Sequence, residues 1–397
     1  MSVRRRDALG GRAAVVGIGA TEFSKDSGRS ELTLAVEAVR AALDDAGLTP
    51  GDVDGMVTFT MDTSPEITVA QAAGIGELSF FSRVHYGGGA ACATVQQAAM
   101  AVATGIAEVV VCYRAFNERS GRRFGSGVLG REPSAEGAAL GVNLPPGLLT
   151  PASWVAMSAN RYLSVYGLEP SVFGHVAVAD RRHAANNPAA YFHGRPITLA
   201  DHAASRWIVE PLRLLDCCQE TDGGQAIVVT SAERARDLRR APAVVTAAAQ
   251  GAGRAQEQMT SYYRDADDLA RLPEMGVVAR QLWRTSGLGP AAVDVAVLYD
   301  HFTPFVLMQL EEFGFCGPGE AADFAADGGL EIDGRLPVNT HGGQLGEAYL
   351  HGMNGIAEAV RQVRGSSVNQ VASVGHTLVT AGTGVPTSGL ILSADGA

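Results

Sequence analysis

The sequence predicts an α/β fold built from two similar βαβ halves with buried central strands. Three observations carry that expectation. Residues 47–57 read GLTPGDVDGMV and residues 287–297 read GLGPAAVDVAV, so Gly, Leu, Pro, Val, Asp and Val recur at a fixed offset of 240. Residues 86–91 (YGGGAA) and 341–349 (HGGQLGEAY) are glycine-rich turns that enter small-residue helical stretches ending at Gly105 and Gly365. Each stretch is followed by a strand-like run, AEVVVCY and NQVASVGH.

In chain order, AAVVGIG at residues 13–19 suits a buried strand, and residues 31–47 suit an amphipathic helix closing at Gly47. GLTPGDVDGMVTFT is a turn leading into a strand. Residues 1–116 form the first part of one half, residues 223–250 its last strands, and residues 251–397 the second half. Between them, residues 117–222 differ in character. They hold a basic glycine-rich tract (ERSGRRFGSG), a proline-rich turn (NLPPGLLTP) and helical segments with Trp154, Tyr162, Tyr166 and Phe173. This region reads as an insertion that covers a site, with its aromatic stripe serving as core. A helix entered from a glycine-rich loop presents free N–H groups and a positive dipole end. Two such ends meeting at a pseudo-twofold axis would make an oxyanion-binding centre.

Composition bounds the function. At 397 residues, 46% hydrophobic and 18% charged, the chain can bury a large core and is not a disordered polypeptide. Its net charge of −11 argues against a nucleic-acid binder, which would show a basic face. The N-terminus has arginines but no apolar run fit for a signal peptide, and no stretch suits a membrane span. The five cysteines, Cys92, Cys112, Cys217, Cys218 and Cys316, contain no CxxC spacing, so neither a disulfide framework nor a zinc site is expected. A cytoplasmic protein with reduced thiols and no metal is the plain expectation. GIGATE at residues 17–22 lacks the third glycine of a dinucleotide loop, and no GxSxG, Walker A or HExxH motif occurs.

Five motifs read together are more specific: RRHAANNP (181–188), DCCQETDGG (216–224), YDHF (299–302), NTHGGQLGEAYLHGMNG (339–355) and HTLVTAGTG (376–384). In this order, and over essentially the whole chain, they resemble the thiolase superfamily, in particular its sterol carrier protein x and lipid-transfer-protein branch. The resemblance implies a thiolase fold: two pseudo-symmetric βαβαβαββ halves stacked in an αβαβα sandwich, with an inserted lid. In that family the C-terminal loop reads NTHGG, four residues, then GHP. Counted without gaps, the family's catalytic histidine falls here on Tyr349, and His351 stands two residues later. The family's nucleophilic cysteine falls on Gly88 or Gly89, with Cys92 about one helical turn further in. The usual C-terminal cysteine is also absent, replaced by LVTAGTG.

A thiolase needs a thiolate to carry the acyl group and a base for the acceptor. With the cysteines and the key histidine replaced, what remains is a pocket for an acyl-CoA thioester and its enolate. Retro-aldol cleavage needs that enolate and no nucleophile. The pattern is similar to the steroid side-chain-cleaving aldolases of the lipid-transfer-protein group. That resemblance implies a steroid β-hydroxyacyl-CoA substrate, a 17-ketosteroid and propionyl-CoA as products, a homodimer, and an OB-fold/zinc-ribbon partner completing a heterotetramer. No cofactor is expected beyond the CoA of the substrate. Tyr349 and Tyr299 are the expected acid/base pair, in either order. Asp300 and His301 are expected to orient them, and Asn339 and His341 to hold the thioester oxygen or a water. Gly88 and Gly384 belong to the expected oxyanion region, and His351 to substrate binding. Arg122 and Arg123 either contact CoA phosphates or lie in a solvated loop. Two other readings stay open: an acyltransferase using Cys92, and a lipid carrier or structural subunit without turnover.

Overall fold

The computed structural model of the chain describes residues 9–85, 87–121, 141, 143, 145–254, 256 and 269–397. The first half runs β1 (Ala13–Ala20), α1 (Glu31–Ala46), β2 (Gly55–Phe59), α2 (Glu66–Ala73), β3 (Phe80–Val84), α3 (Ala91–Ala103) and β4 (Val109–Asn117). Helices α4 (Pro151–Tyr166) and α5 (Phe173–Asn186) and the hairpin β5 (Trp207–Val209) and β6 (Leu212–Arg213) follow, before β7 (Asp222–Ser231). The remaining main elements are β8 (Ala243–Gly251), α6 (Pro273–Ser286), β9 (Val295–Val297), α7 (Thr303–Glu312), α8 (Met353–Arg364), β10 (His376–Ala381) and β11 (Thr387–Ala394).

The strands lie in the order β3-β2-β4-β7-β1-β8-β11-β10-β9, and the order reads as a mirror image about the β1/β8 junction. Only two residue pairs, Ala14 with Val244 and Val15 with Ala243, join β1 to β8. The two sheets are therefore separate layers hinged at this junction, not one plane. The apolar clusters show the stacking. Helix α1 and α2 residues cover one face of the first sheet. Residues of α3 and α8 fill the space between the two sheets. Helices α6 and α7 cover the outer face of the second sheet. The result is an αβαβα sandwich, and the strands covered on both faces read as continuous apolar runs.

Local sequence explains the elements. Ser30 caps α1 by accepting the Thr33 N–H at 3.1 Å, and Gly47 ends it in the left-handed conformation at φ 75°. The glycines of GIGATE serve packing: a Cβ at Gly17 or Gly19 would collide with the Ala42 backbone of α1. The repeated segments fold alike. Pro50–Asp52 and Pro290–Ala292 are both single 3₁₀ turns. Asp54 accepts the N–H groups of Glu108 and Val109 ahead of β4, and Asp294 accepts those of Gly375 and His376 at 2.8 Å ahead of β10.

Three expectations change. The boundary placed at residue 250 moves back: β8 occupies in the second half the place β1 occupies in the first, so the second half opens at Ala243. NQVASVGH is not a strand; pairing starts at His376 with β11 and at Thr377 with β9. The second half also lacks a counterpart of β3 among the described residues. A single parallel bridge between Ala296 and Val338 stands in its place, and the chain turns there directly into the 339–352 loop. Among the described residues of the insertion, Val155, Ala159, Tyr162, Phe173 and Val176 pack in the same cluster as α6 and α7.

Candidate active site

The fold brings the entrances of α3 and α8 to one cavity of about 490 Å³. Gly87 and Gly88 line it from the α3 side, and Tyr349 and His351 from the α8 side. Tyr299, His301 and Phe302 reach it from the segment after β9, and Gly382, Thr383 and Val385 from the β10–β11 turn. The insertion closes it with Glu118, Thr150, Pro151, Ala152, Ile208 and the stretch Cys217–Glu220. Its volume falls within the range of about 300–1,000 Å³ usual for small-molecule sites.

The Tyr299 and Tyr349 hydroxyls lie 3.3 Å apart. Each tyrosine is anchored through its backbone. The Tyr299 N–H donates to Thr380 Oγ1 at 2.9 Å, and its carbonyl accepts from Gln309 at 2.8 Å. The Tyr349 N–H donates to Thr221 Oγ1 at 2.8 Å. Burial pushes both phenols well above their usual range; for Tyr299 the Tyr349 hydroxyl pulls the other way, and Cys218 and Glu118 add to the rise for both. His301 stands 4.9 Å from the Tyr299 ring, and burial pushes its pKa down to about 3, so it is a neutral imidazole. His351 stands 4.8 Å from the Tyr349 ring and is likewise held neutral by burial and by the Arg114 charge.

The 339–352 loop is tied down on its outer side. Asp300 accepts the Gln344 and Leu345 N–H groups at 2.9 and 3.0 Å. Asn187, in RRHAANNP, donates to the His341 carbonyl and to Glu347, both at 3.0 Å. Asn339 holds φ 51° and accepts the Leu298 N–H at 2.9 Å. Asn339, His341 and Asp300 are thus buried behind the cavity wall and do not line it. They fix the loop that carries Tyr349. Gly384 also lies outside the lining, its N–H donating to Glu274 at 2.7 Å. Gly88 does line the cavity, with the Tyr299 hydroxyl packed where its Cβ would be. Arg122 and Arg123 lie outside the described residues.

Cys92 is sealed between α3 and β10, where its thiol donates to the Val379 carbonyl at 3.7 Å, and burial raises its pKa far above the thiol range. It does not reach the cavity, so the acyl-thiol reading fails on geometry as well as on protonation. The cavity thiols are no better nucleophiles: burial pushes Cys217 up to about 12 and Cys218 well above the ordinary value. Sequence reasoning missed Cys218, Glu118 and Thr221 as cavity and anchoring residues. Cys218 and Thr221 sit inside the recognised DCCQETDGG motif, and Glu118 opens the basic tract ERSGRRFGSG directly after β4.

Residues 255–393 match the family described as Thiolase C-terminal domain-like. The 17-hydroxy-3-oxo-4-pregnene-20-carboxyl-CoA lyase of Mycobacterium tuberculosis is 69% identical over 386 residues, 97% of this chain and 100% of that protein. The chain belongs to the steroid side-chain-cleaving aldolases of the thiolase superfamily. The steroid side-chain-cleaving aldolase of Thermomonospora curvata is also 69% identical, over 98% of this chain and 99% of its own. The solved Ltp2-ChsH2(DUF35) aldolase superposes with a TM-score of 0.94 at 68% identity, covering 98% of this chain and 100% of that one. Human mitochondrial 3-ketoacyl-CoA thiolase shares the fold, with a TM-score of 0.68 at 15% identity. This family member is an enzyme, a carbon–carbon lyase. No helix of the described residues is long and apolar enough to cross a membrane.

Proposed function

We propose that the chain cleaves 17-hydroxy-3-oxo-4-pregnene-20-carboxyl-CoA by retro-aldol chemistry, releasing a 17-ketosteroid and propionyl-CoA, with Tyr299 and Tyr349 as the acid/base pair. The observation that carries the tyrosine assignment is the 3.3 Å contact between their hydroxyls inside the cavity. The substrate comes from the lyase relative, which shares 69% identity over 97% of this chain.

The reaction starts with one tyrosine ionised and the other neutral. The C17 hydroxyl gives its proton to the phenolate. The O–H electrons become the new C17 carbonyl, the C17–C20 bond breaks, and its electron pair passes to the thioester as an enolate. The neutral tyrosine then protonates C20, giving propionyl-CoA, and the proton crosses between the two phenols to restore the starting state. The high phenol pKa values limit how often the base is ionised but make it strong when formed. Burial holds the pKa values of His301 and His351 down, so both rings are weak bases beside the phenolate. Side chains and the substrate's own thioester supply all the chemistry, so no further cofactor is proposed. The name of the Ltp2-ChsH2(DUF35) structure supports a DUF35-type partner here, and we extend the proposal to two copies of this chain with one partner on each, acting in the cytoplasm.

The test is turnover of that thioester by the full chain, with and without the partner, followed by mass spectrometry of propionyl-CoA and the 17-ketosteroid. Tyr299→Phe and Tyr349→Phe should each lower kcat at least about a hundredfold, the usual scale for a general acid or base. Cys92→Ala should leave kcat nearly unchanged. Acyl transfer to added CoA, or a covalent adduct on a cysteine, would return the chain to thiolase chemistry.

A further inference from the structure

A buried arginine in the core of the first half joins the turn after β2 to β4 through Asp62, which also accepts from Thr58 and Ala115. The Arg114 side chain, on β4, is 2% exposed and pairs with Asp62, whose side chain is 1% exposed. Its guanidinium lies 3.9 Å over the Phe116 ring and 5.5 Å from the Phe59 ring. Burying such a pair in place of apolar side chains seldom adds stability. What the pair does reach is the cavity: Arg114 Nε donates to His351 Nδ1 at 3.2 Å. The His351 ring also stacks on Phe116 at 5.0 Å, so two independent contacts fix its plane.

This contact settles the histidine's chemistry. Arginine has only donors and stays protonated, so Nδ1 must offer its lone pair. A neutral imidazole that accepts at Nδ1 carries its hydrogen on Nε2. Nε2 faces the cavity wall at Gly87, where an added Cβ would come within 3.0 Å of it, and both residues line the cavity beside Tyr349. With no side chain, Gly87 lets the ring pack this close to the wall, and Nε2 is buried there.

We propose that Arg114 and Asp62 hold His351 as the Nε2–H tautomer, and that this N–H donates to the thioester oxygen of the substrate and to the enolate oxygen that forms from it. The inference rests on the retro-aldol reading. No proton is transferred. A neutral imidazole is too weak an acid to protonate the enolate, so it stabilises the developing charge and leaves carbon to be protonated by the tyrosine. His351 is then a catalytic residue, and Arg114 and Asp62 are positioning residues.

Three measurements test this. In protein labelled with ¹⁵N-histidine, at neutral pH, the signal missing from His351→Gln should show a bare Nδ1 and a protonated Nε2; an Nδ1–H ring or an imidazolium overturns the positioning claim. With [1-¹³C]propionyl-CoA as probe, the bound carbonyl signal should move downfield in the wild type and less in His351→Phe; equal shifts overturn the donor claim. In turnover, His351→Phe should lose at least about a hundredfold in kcat with little change in KM, the scale of one oxyanion donor, while His351→Gln, whose amide can donate, should lose clearly less. Full kcat in His351→Phe overturns the inference while leaving the tyrosine chemistry standing. A wild type that cleaves nothing yet shows the tautomer and the carbonyl shift overturns the retro-aldol reading alone.

Discussion

At the scale of single residues, the site depends on where small side chains permit contact. Tyr299 and Tyr349 meet because Gly88 leaves room for the Tyr299 hydroxyl, which occupies the space a Cβ would need. Gly88→Ala should therefore push the Tyr299 hydroxyl away from its partner while leaving the helix entrance intact. A displacement on the order of an ångström can cost about a hundredfold in rate. Steady-state kinetics should show that loss in kcat, with the circular dichroism unchanged. Tyr349 was legible because an NTHGG motif fixes a counting register, and Tyr299 because YDHF follows a repeated segment. Glu118 and Arg114 were not legible. Arg114 lies inside β4, a strand that reads as ordinary, and only its contact with His351 of the opposite half ties it to the cavity; Glu118 gains its place in the lining only through packing.

At the scale of elements, the two helix entrances and the β10–β11 turn depend on buried polar anchors. Glu274, at the start of α6, accepts the Gly384 N–H at 2.7 Å and so holds the turn whose neighbours Gly382, Thr383 and Val385 line the cavity. Burial raises its pKa from 4.5 to about 7. The folded chain therefore keeps a proton on Glu274 that the unfolded chain loses above about pH 4.5. Its contribution to stability is fullest below that pH and is lost as the pH rises to about 7, at a cost on the order of 3 kcal/mol. Glu274→Gln keeps an acceptor for Gly384 and carries no charge. Thermal unfolding from pH 5 to pH 8 should show the variant gaining over the wild type as pH rises; parallel curves would remove this anchor from the account. Nothing in the sequence around Glu274 signals this contact, because its partner lies 110 residues away.

At the scale of the whole molecule, the sheet order leaves β3 at one edge of the described sheet. Phe81, on that strand, is 55% exposed. An edge strand with exposed apolar side chains invites pairing with another copy. The far end differs, since the Val338 bridge shields β9. The proposed dimer should therefore form through β3, and Phe81→Glu should convert it to a monomer in light scattering, with the cavity residues untouched. A dimer that persists in Phe81→Glu places the interface elsewhere.

The two-half architecture and the kind of chemistry can be read along the chain. A recurring GLxPxxVDxxV segment builds the same turn, aspartate anchor and strand twice, since local hydrogen bonding and apolar periodicity suffice for each copy. Loss of cysteine at the expected register removes the nucleophile whatever the packing around it. Only the tertiary structure decided which polar residues face the substrate. Asn339, His341 and Asp300 share a motif with Tyr349 or Tyr299, yet they lie behind the wall, while Glu118 and Cys218 reach the lining from the insertion. Side chains one residue apart on a turn can face opposite ways, and what each one meets is set by packing between the halves.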